Sequence, residues 1–270
     1  MPDFVEETRR ILALQRELVG PIRFLTEPVP RPSADQQLPV TQPKIEAKLM
    51  ETTTSEAIET STESLYERIE QLIPPNSPLH EIDSLEELSD WLASNILTDI
   101  DRTRLNPVLG GGNPNADVMV VGEAPGAEED KKGKPFVGRA GQLLDKILAA
   151  IDLSREENVY ICNILKSRPP NNRDPRADEV EAHIPMLYKQ IALVKPKIML
   201  AVGKSAGNGL LQKKTSLTSM RGKFHDFHGV PLMVTFHPAA LLRNPQWKRP
   251  TWEDVQLLRK RYDEILAEQV

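Results

Sequence analysis

The chain has 270 residues, one cysteine and a formal net charge of −5. This length has room for one sizeable α/β domain with an appendage, and the acidic balance excludes an overall basic coat, so any nucleic-acid contact must use a local patch. A single cysteine excludes a disulfide framework and a multi-cysteine metal site, and it suits a reducing cytosol. No apolar run approaches the ~18 residues of a membrane span, and the first residues lack the pattern of a secretory or transit signal. We therefore expect a cytoplasmic protein with no membrane segment.

The N-terminal part changes composition twice before the main domain begins. Residues 1–26 carry apolar side chains at roughly helical spacing and predict an amphipathic helix, which either docks on a protein partner or lies solvated on its own domain. Residues 27–62 are rich in Pro, Gln, Ser and Thr with few large apolar side chains, which predicts a disordered linker. Residues 63–83 predict a helical lead-in, and Ser84 begins a capping-box pattern at the start of the main domain, 84–270.

From residue 117 onward, short apolar runs rich in β-forming residues alternate with helical patterns. The runs are DVMVVG (117–122), NVYICNIL (158–165), KIMLAVG (197–203) and PLMVTFH (231–237). This alternation predicts a three-layer α/β/α fold whose central sheet is mainly parallel and four-stranded, with right-handed crossovers. Ligands of such sheets bind at the carboxyl ends of the strands. Polar features lie at three of these ends: the GEAPG loop, Asn163 and His237.

Two glycine-containing segments suggest a phosphate site, and both fail the test of spacing. The loop after the first apolar run is called the first loop, and its glycines, Gly122, Gly126 and Gly133, miss the GxGxxG spacing. The acidic side chains around these glycines would also repel a pyrophosphate. The GKS triplet at 203–205 lacks the first glycine of a P-loop, because Ile198 stands at that position. A dinucleotide site and a P-loop are therefore not expected.

Three motifs together carry a family resemblance. The segments GEAPGAEEDKKGKPFVGRAGQLLDKIL, VYICNILKSRPPNNRDP and FHPAALLRNP are similar, in order and spacing, to the motifs of family 4 uracil-DNA glycosylases. The likeness runs from about residue 84 to the C-terminus and leaves residues 1–83 outside. It implies an α/β/α sheet and an enzyme that acts on uracil-containing DNA, and we expect this chain to be a monomer. Such an enzyme hydrolyses the N-glycosidic bond of uracil, leaves an abasic site and uses no catalytic metal.

The resemblance also implies a uracil pocket. Phe136 matches the aromatic residue that stacks on the flipped base, Asn163 matches the asparagine that recognises uracil, and His237 matches the histidine aimed at uracil O2. An asparagine amide can donate to O4 and accept from N3–H, whereas cytosine reverses both contacts. A donor at O2 acts chiefly on the transition state, where negative charge collects. The other uracil-binding candidates lie in the first loop: Gly122, Ala124 and Gly126.

Two carboxylates of the first loop are catalytic candidates. Glu123 matches the motif glutamate of the family, and Glu129 is a second acid in the same loop. Either one could position water or stabilise the sugar cation that develops as the bond breaks. The sequence leaves the choice between them open.

The resemblance places DNA contacts in two loops. Basic candidates lie in the loop after the second predicted strand: Lys166, Arg168 and Arg173. They could follow phosphates, or they could form a solvated basic loop. In the family, the loop that contains Leu241, Leu242 and Arg243 enters the minor groove. Leu241 is predicted to fill the gap left by the flipped base.

The chain departs from the family at a metal site. Members commonly bind a 4Fe–4S cluster through four cysteines, and the matching positions here are Asn95, Thr98, Ser167 and His183. The only cysteine, Cys162, lies inside a predicted core strand. A cubane cluster needs thiolate ligands. We therefore predict no iron–sulfur cluster and no other cofactor or metal.

Three alternatives to uracil hydrolysis remain open. The lost cysteines and the extra N-terminal segment keep open an inactive DNA-binding or partner-docking protein that keeps the fold, whereas the intact Glu123, Phe136, Asn163 and His237 favour catalysis. Another alternative is a glycosylase for a different deaminated base, such as hypoxanthine. A relative that becomes covalently attached to the abasic site ranks lower, because the loop HPAALLRNP offers no histidine beyond His237 as a nucleophile.

Overall fold

The computed structural model describes residues 65–269. The helix predicted at 1–26 and the linker predicted at 27–62 lie outside the described residues. The strands are Gly110–Gly112 (β1), Val118–Gly122 (β2), Val159–Asn163 (β3), Ile198–Val202 (β4), Phe224–Phe227 (β5) and Val230–Thr235 (β6). The helices are Leu85–Ser94 (α1), Asp99–Thr103 (α2), Ala127–Lys132 (α3), Arg139–Ala149 (α4), Ala177–Val194 (α5), Lys204–Leu211 (α6), Leu217–Met220 (α7), Pro238–Arg243 (α8) and Lys248–Ala267 (α9), and residues 65–70 are also helical.

The strands form one mixed six-stranded sheet in the order β1-β3-β2-β4-β6-β5. Its four inner strands are parallel and correspond to the four apolar runs of the sequence. The predicted count of four is incomplete, because an antiparallel strand is added at each edge, β1 beside β3 and β5 beside β6. β1 consists of three glycines and β5 reads FHDF. Neither has the continuous apolar run that is typical of a buried parallel strand.

Helices cover both faces of the sheet, which confirms the three-layer architecture. Met119 of β2 faces a core shared with α1 and α5, and its neighbour Val120 faces a core shared with α4 and α9. The parallel register pairs Gly122, at the end of β2, with Asn163, at the end of β3. Because the inner strands run in the same direction, their carboxyl ends meet at one edge of the sheet.

The segment before α1 packs against the first of these cores. Ile69 and Ile73 are 0% and 1% exposed. The hydroxyl of Tyr66 donates a hydrogen bond to the carbonyl of Pro196 at 2.9 Å. The described part of the predicted lead-in, residues 65–83, therefore shares a core with the main domain.

Among residues 65–269, none of the helices combines the length and the apolar character that crossing a bilayer requires.

Candidate active site

A cavity of about 420 Å³ opens at the carboxyl edge of the sheet. The first loop, the end of β3 and the residues after β6 contribute to its wall. The structure brings the three catalytic candidates into this wall: Glu123, Glu129 and His237. Four of the five uracil-binding candidates also line it: Ala124, Gly126, Phe136 and Asn163. The fifth, Gly122, lies directly against two of these side chains.

Asn163 is the most buried of the polar residues that line the cavity. The residue is 1% exposed, and its Oδ1 is buried without a hydrogen-bond partner among the described residues. A side chain at Gly122 would collide with this oxygen and with the ring of Phe136, so glycine leaves room for both. A buried acceptor without a donor is costly and uncommon. Asn163 Oδ1 is therefore suited to an N–H donor supplied by a ligand.

His237 presents a neutral ring to the cavity from the N-terminus of α8. Its Nδ1 accepts the backbone N–H of Ala239 at 3.1 Å, which leaves the proton of the neutral ring on Nε2. Burial lowers the pKa of His237 to about 4, the charge of Arg243 adds to this effect, and Glu129 opposes it. The ring of Phe136 lies beside it, with the two ring centroids 5.6 Å apart.

The two carboxylates of the first loop differ in their contacts. Glu129 Oε1 accepts the backbone N–H groups of Val137 and Gly138, both at 2.9 Å, and so ties α3 to the loop before α4. Glu123 is half-buried. Burial raises its pKa, and the Ser205 side chain partly offsets the rise. Ser205 belongs to the GKS triplet that failed as a P-loop, and sequence reasoning missed its effect on the pKa of Glu123.

Comparison with known proteins gives the family of this site. Residues 109–256, more than half of the chain, match the family model of the uracil DNA glycosylase superfamily. The chain is 38% identical to the type-4 uracil-DNA glycosylase of Sulfurisphaera tokodaii over 66% of this chain and 85% of that protein. It is 39% identical to the Archaeoglobus fulgidus type-4 enzyme, over 61% and 86%, and 44% identical to that of Thermotoga maritima, over 57% and 81%. The chain belongs to the type-4 uracil-DNA glycosylase family.

Three of the basic residues predicted to bind DNA lie at or near the cavity. Arg173 and Arg243 line it. Arg168 is half-buried in the loop after β3, where its Nε donates to Oδ1 of Asn172 at 2.7 Å. Arg173 is bound through both terminal nitrogens to the carboxylate of Glu179 in α5. This ion pair fixes the guanidinium of Arg173 at the cavity.

Two of the predicted DNA contacts lie in the interior of the protein. Lys166 is fully buried, and its Nζ donates to the carbonyl of Asn163 at 2.5 Å and to Oε1 of Gln190. Its basic neighbours in the sequence suggested an exposed loop, but Lys166 belongs to the buried segment that follows β3. Leu241 is 1% exposed and packs in the core shared by α4 and α9, whereas Leu242 is 42% exposed. α8 turns the first leucine inward, so Leu242 is the one that faces solvent.

Lys166→Met is expected to destabilise the fold without changing the salt dependence of DNA binding. The variant leaves the buried carbonyl of Asn163 without its donor, and an unpaired buried group costs about 1–3 kcal/mol. Because the ammonium lies in the interior, the slope of log Kd against log salt concentration should stay the same. Arg243→Met should reduce that slope by about 0.7–0.9, the value for one phosphate contact.

Chemical denaturation and fluorescence anisotropy over a salt series measure the two effects. A slope for Lys166→Met that falls as far as the slope for Arg243→Met contradicts the interior position of Lys166.

Three of the four positions that match the cluster cysteines of the family, Thr98, Ser167 and His183, meet around one buried carboxylate, Asp101. Its Oδ2 accepts the N–H of Thr98 at 2.7 Å and lies 3.5 Å from His183 Nε2. Its Oδ1 accepts the Ser167 hydroxyl and, at 3.1 Å, Nη1 of Arg104. Burial by itself raises the pKa of Asp101, but the hydrogen bond from the Ser167 hydroxyl and the nearby ring of His183 hold this pKa well below its usual range.

Arg104 joins this network to the end of α1. Its Nη2 donates to the carbonyls of Leu92 at 2.6 Å and Asn95 at 3.2 Å, and its Nη1 also donates to Ser167 Oγ at 3.2 Å. Sequence reasoning missed Asp101 and Arg104. The signal for Asp101 was available as a Thr-x-x-Asp capping box at the start of α2.

The residues around Asp101 do not fit a 4Fe–4S cluster. They offer a carboxylate, an imidazole, hydroxyls and an amide, with a guanidinium among them, whereas the cluster is held by thiolates. The single cysteine, Cys162, is buried within β3. The part of the chain from 65 to 269 contains no group of three His, Cys, Asp or Glu side chains that could hold a metal ion.

Proposed function

We propose that the chain is an active uracil-DNA glycosylase that flips uracil out of DNA and hydrolyses its N-glycosidic bond to leave an abasic site. The named activity of its relatives supports the reaction class. One observation carries the choice of base, which is the buried and unpartnered Oδ1 of Asn163 beside the ring of Phe136. A flipped uracil offers N3–H to this oxygen and a flat face to the ring.

Recognition of the base is assigned to Asn163. Its Oδ1 accepts from N3–H of uracil, and its Nδ2 donates to O4. Cytosine presents an unprotonated N3 and an amino group at these positions, so both contacts become repulsive. Stacking on Phe136 is worth about 1–3 kcal/mol for any base and does not discriminate. The backbone from Gly122 to Gly126 wraps the base and the sugar.

Stabilisation of the leaving group is assigned to His237. As the N-glycosidic bond breaks, negative charge collects on the uracil, including O2, and Nε2–H donates to it. The backbone N–H of Ala239 sets this tautomer before the substrate arrives. Such a preorganised donor acts on the transition state more than on the ground state. The lowered pKa of His237 keeps the ring neutral at physiological pH.

The contacts of the two carboxylates suggest a division of roles. Glu129 is engaged by two backbone N–H groups and holds the loop that carries Phe136. The carboxylate of Glu123 accepts no backbone N–H from the described residues, and its raised pKa is typical of a carboxylate that takes part in proton transfer. We assign Glu123 to the attacking water or the sugar cation, and Glu129 to electrostatic stabilisation and loop geometry.

Engagement of DNA is assigned to both sides of the cavity. Arg168, Arg173 and Arg243 contact phosphates, and Leu242, in place of Leu241, fills the gap left by the flipped base. The chain acts as a monomer in the cytoplasm. Residues 1–26 are the segment proposed to contact a protein partner.

The purified protein is expected to contain no iron–sulfur cluster. The network around Asp101 holds together the segments that a cluster would join, so the fold needs no metal there. Elemental analysis and visible absorption after anaerobic purification from iron-supplemented cells measure this directly. Cys162→Ser is the control, and its metal content should equal that of the wild type. Stoichiometric iron with a charge-transfer band contradicts the proposal.

The function is tested with end-labelled oligonucleotides that carry one uracil, single-stranded or paired with guanine. Release of free uracil, followed by alkaline cleavage at the abasic site, is the expected result. Binding of the uracil oligonucleotide without release would favour the inactive DNA-binding protein. A parallel substrate with hypoxanthine tests whether another deaminated base is preferred.

A further inference from the structure

Phe136 has a backbone conformation that residues with side chains rarely adopt. Its φ is +50°, in the left-handed region. The residue is 6% exposed, and its ring lines the cavity. A non-glycine residue stays in this region only when its surroundings hold it there, and such residues cluster at functional sites.

One side chain holds the strained segment from outside the cavity. The guanidinium of Arg155 donates from Nη1 to the carbonyl of Pro135 at 2.8 Å and from Nη2 to the carbonyl of Phe136 at 2.6 Å. Its Nε donates to Oδ1 of Asp145, in α4, at 2.6 Å. The Phe136 carbonyl also packs so closely on α4 at Gly141 that a Cβ there would collide with it.

Arg155 lies in the connection between α4 and β3 and is not among the residues that line the cavity. Its planar fork of donors serves two consecutive carbonyls and a carboxylate at once, which a lysine ammonium cannot do. We propose that Arg155, oriented by Asp145, is a positioning residue that sets the ring of Phe136 for stacking on the flipped base. The inference rests on the proposed function, because it needs a base in the cavity.

Arg259 provides a matched control within the same chain. Its Nη1 donates to the carbonyls of Ile151 and Asp152, both at 3.3 Å, and its Nη2 is bound to Asp263 at 2.7 Å. Asp152 is also in the left-handed region, with φ +53°. Like Arg155, Arg259 thus binds two consecutive backbone carbonyls and one carboxylate beside a residue with positive φ. Neither Arg259 nor these partners line the cavity.

The test is a double-mutant cycle on uracil excision. Arg155→Met should lower kcat/KM about tenfold, within the range allowed by the loss of one base–aromatic stack. The loss should appear mainly as a higher KM, because stacking holds the base in both the ground state and the transition state. In a Phe136→Ala background the same substitution should change kcat/KM by less than about twofold. Asp145→Asn should act in the same direction more weakly, and Arg259→Met should leave kcat/KM unchanged.

The inference is overturned if Arg155→Met lowers kcat/KM equally in the wild-type and Phe136→Ala backgrounds, or does not lower it at all. In either case, release of uracil by the wild type leaves the proposed function standing. If the wild type releases no uracil, the proposed function fails, and the cycle is measured as affinity for a uracil oligonucleotide relative to an undamaged one. Thermal melting establishes that each variant folds. If Arg155→Met does not fold, Asp145→Asn takes its place in the cycle, because this substitution alters an exposed carboxylate.

Discussion

Replacement of His237 by alanine is expected to lower kcat for uracil excision by about 10²–10³-fold, which is the usual effect of removing one preorganised donor to a developing anion. KM should change little, because uracil O2 carries its negative charge only as the bond breaks. Single-turnover kinetics on a uracil oligonucleotide measures the chemical step. His225→Ala is the control, since that ring lies on β5 and contacts the carbonyl of Met220 at 2.7 Å.

The pH dependence tests the protonation state assigned to His237. With its pKa lowered to about 4, the ring is already neutral well below pH 6. It should therefore add no inflection to log kcat near its ordinary value of about 6.5. Activity should fall as the pH drops through about 4, where protonation at Nδ1 removes the acceptor for the N–H of Ala239. An inflection near pH 6.5 that disappears in His237→Ala would show that a charged histidine takes part.

The inner sheet and the place of the cavity could be predicted because each depends on local sequence. A parallel strand buried on both faces must be apolar throughout, so β2, β3, β4 and β6 stand out as runs. Their common direction then brings the residues at their ends to one edge. The edge strands lack this signal, since β1 has no side chains and pairs with the sheet only through its backbone.

The contacts that could not be predicted are those between residues far apart in sequence. Lys166 is charged and has basic neighbours, which predicts exposure, but Gln190 of α5 lies over it and accepts its hydrogen bond. Asp101 meets the hydroxyl of Ser167 across 66 positions of the chain. Arg155 reaches the carbonyl of Phe136 across 19 positions. Residue type alone suggests a solvated charge in each case, and only the packed fold shows the partner.

Replacement of Asn163 by alanine is expected to lower kcat/KM for uracil by about 10²–10³-fold. Two hydrogen bonds to the base are lost, each worth about 1.5–2 kcal/mol in a buried site, and each 1.36 kcal/mol is a factor of ten. The preference for uracil over cytosine should collapse as well, because Phe136 stacks on either base. Excision from matched uracil and cytosine oligonucleotides measures the ratio.

The stability of the same variant separates recognition of the base from a structural role. Among residues 65–269 of the free protein, no group donates to Asn163 Oδ1, so its removal takes away an unpaired buried acceptor and should leave the free energy of unfolding unchanged or higher. Asn208→Ala is the comparison, because that amide is satisfied by the N–H and the carbonyl of Thr215, and its loss should destabilise the fold without lowering uracil discrimination. If Asn163→Ala instead destabilises the protein as much as Asn208→Ala while keeping the preference for uracil, the amide serves the fold, and recognition of the base must come from the backbone of the first loop.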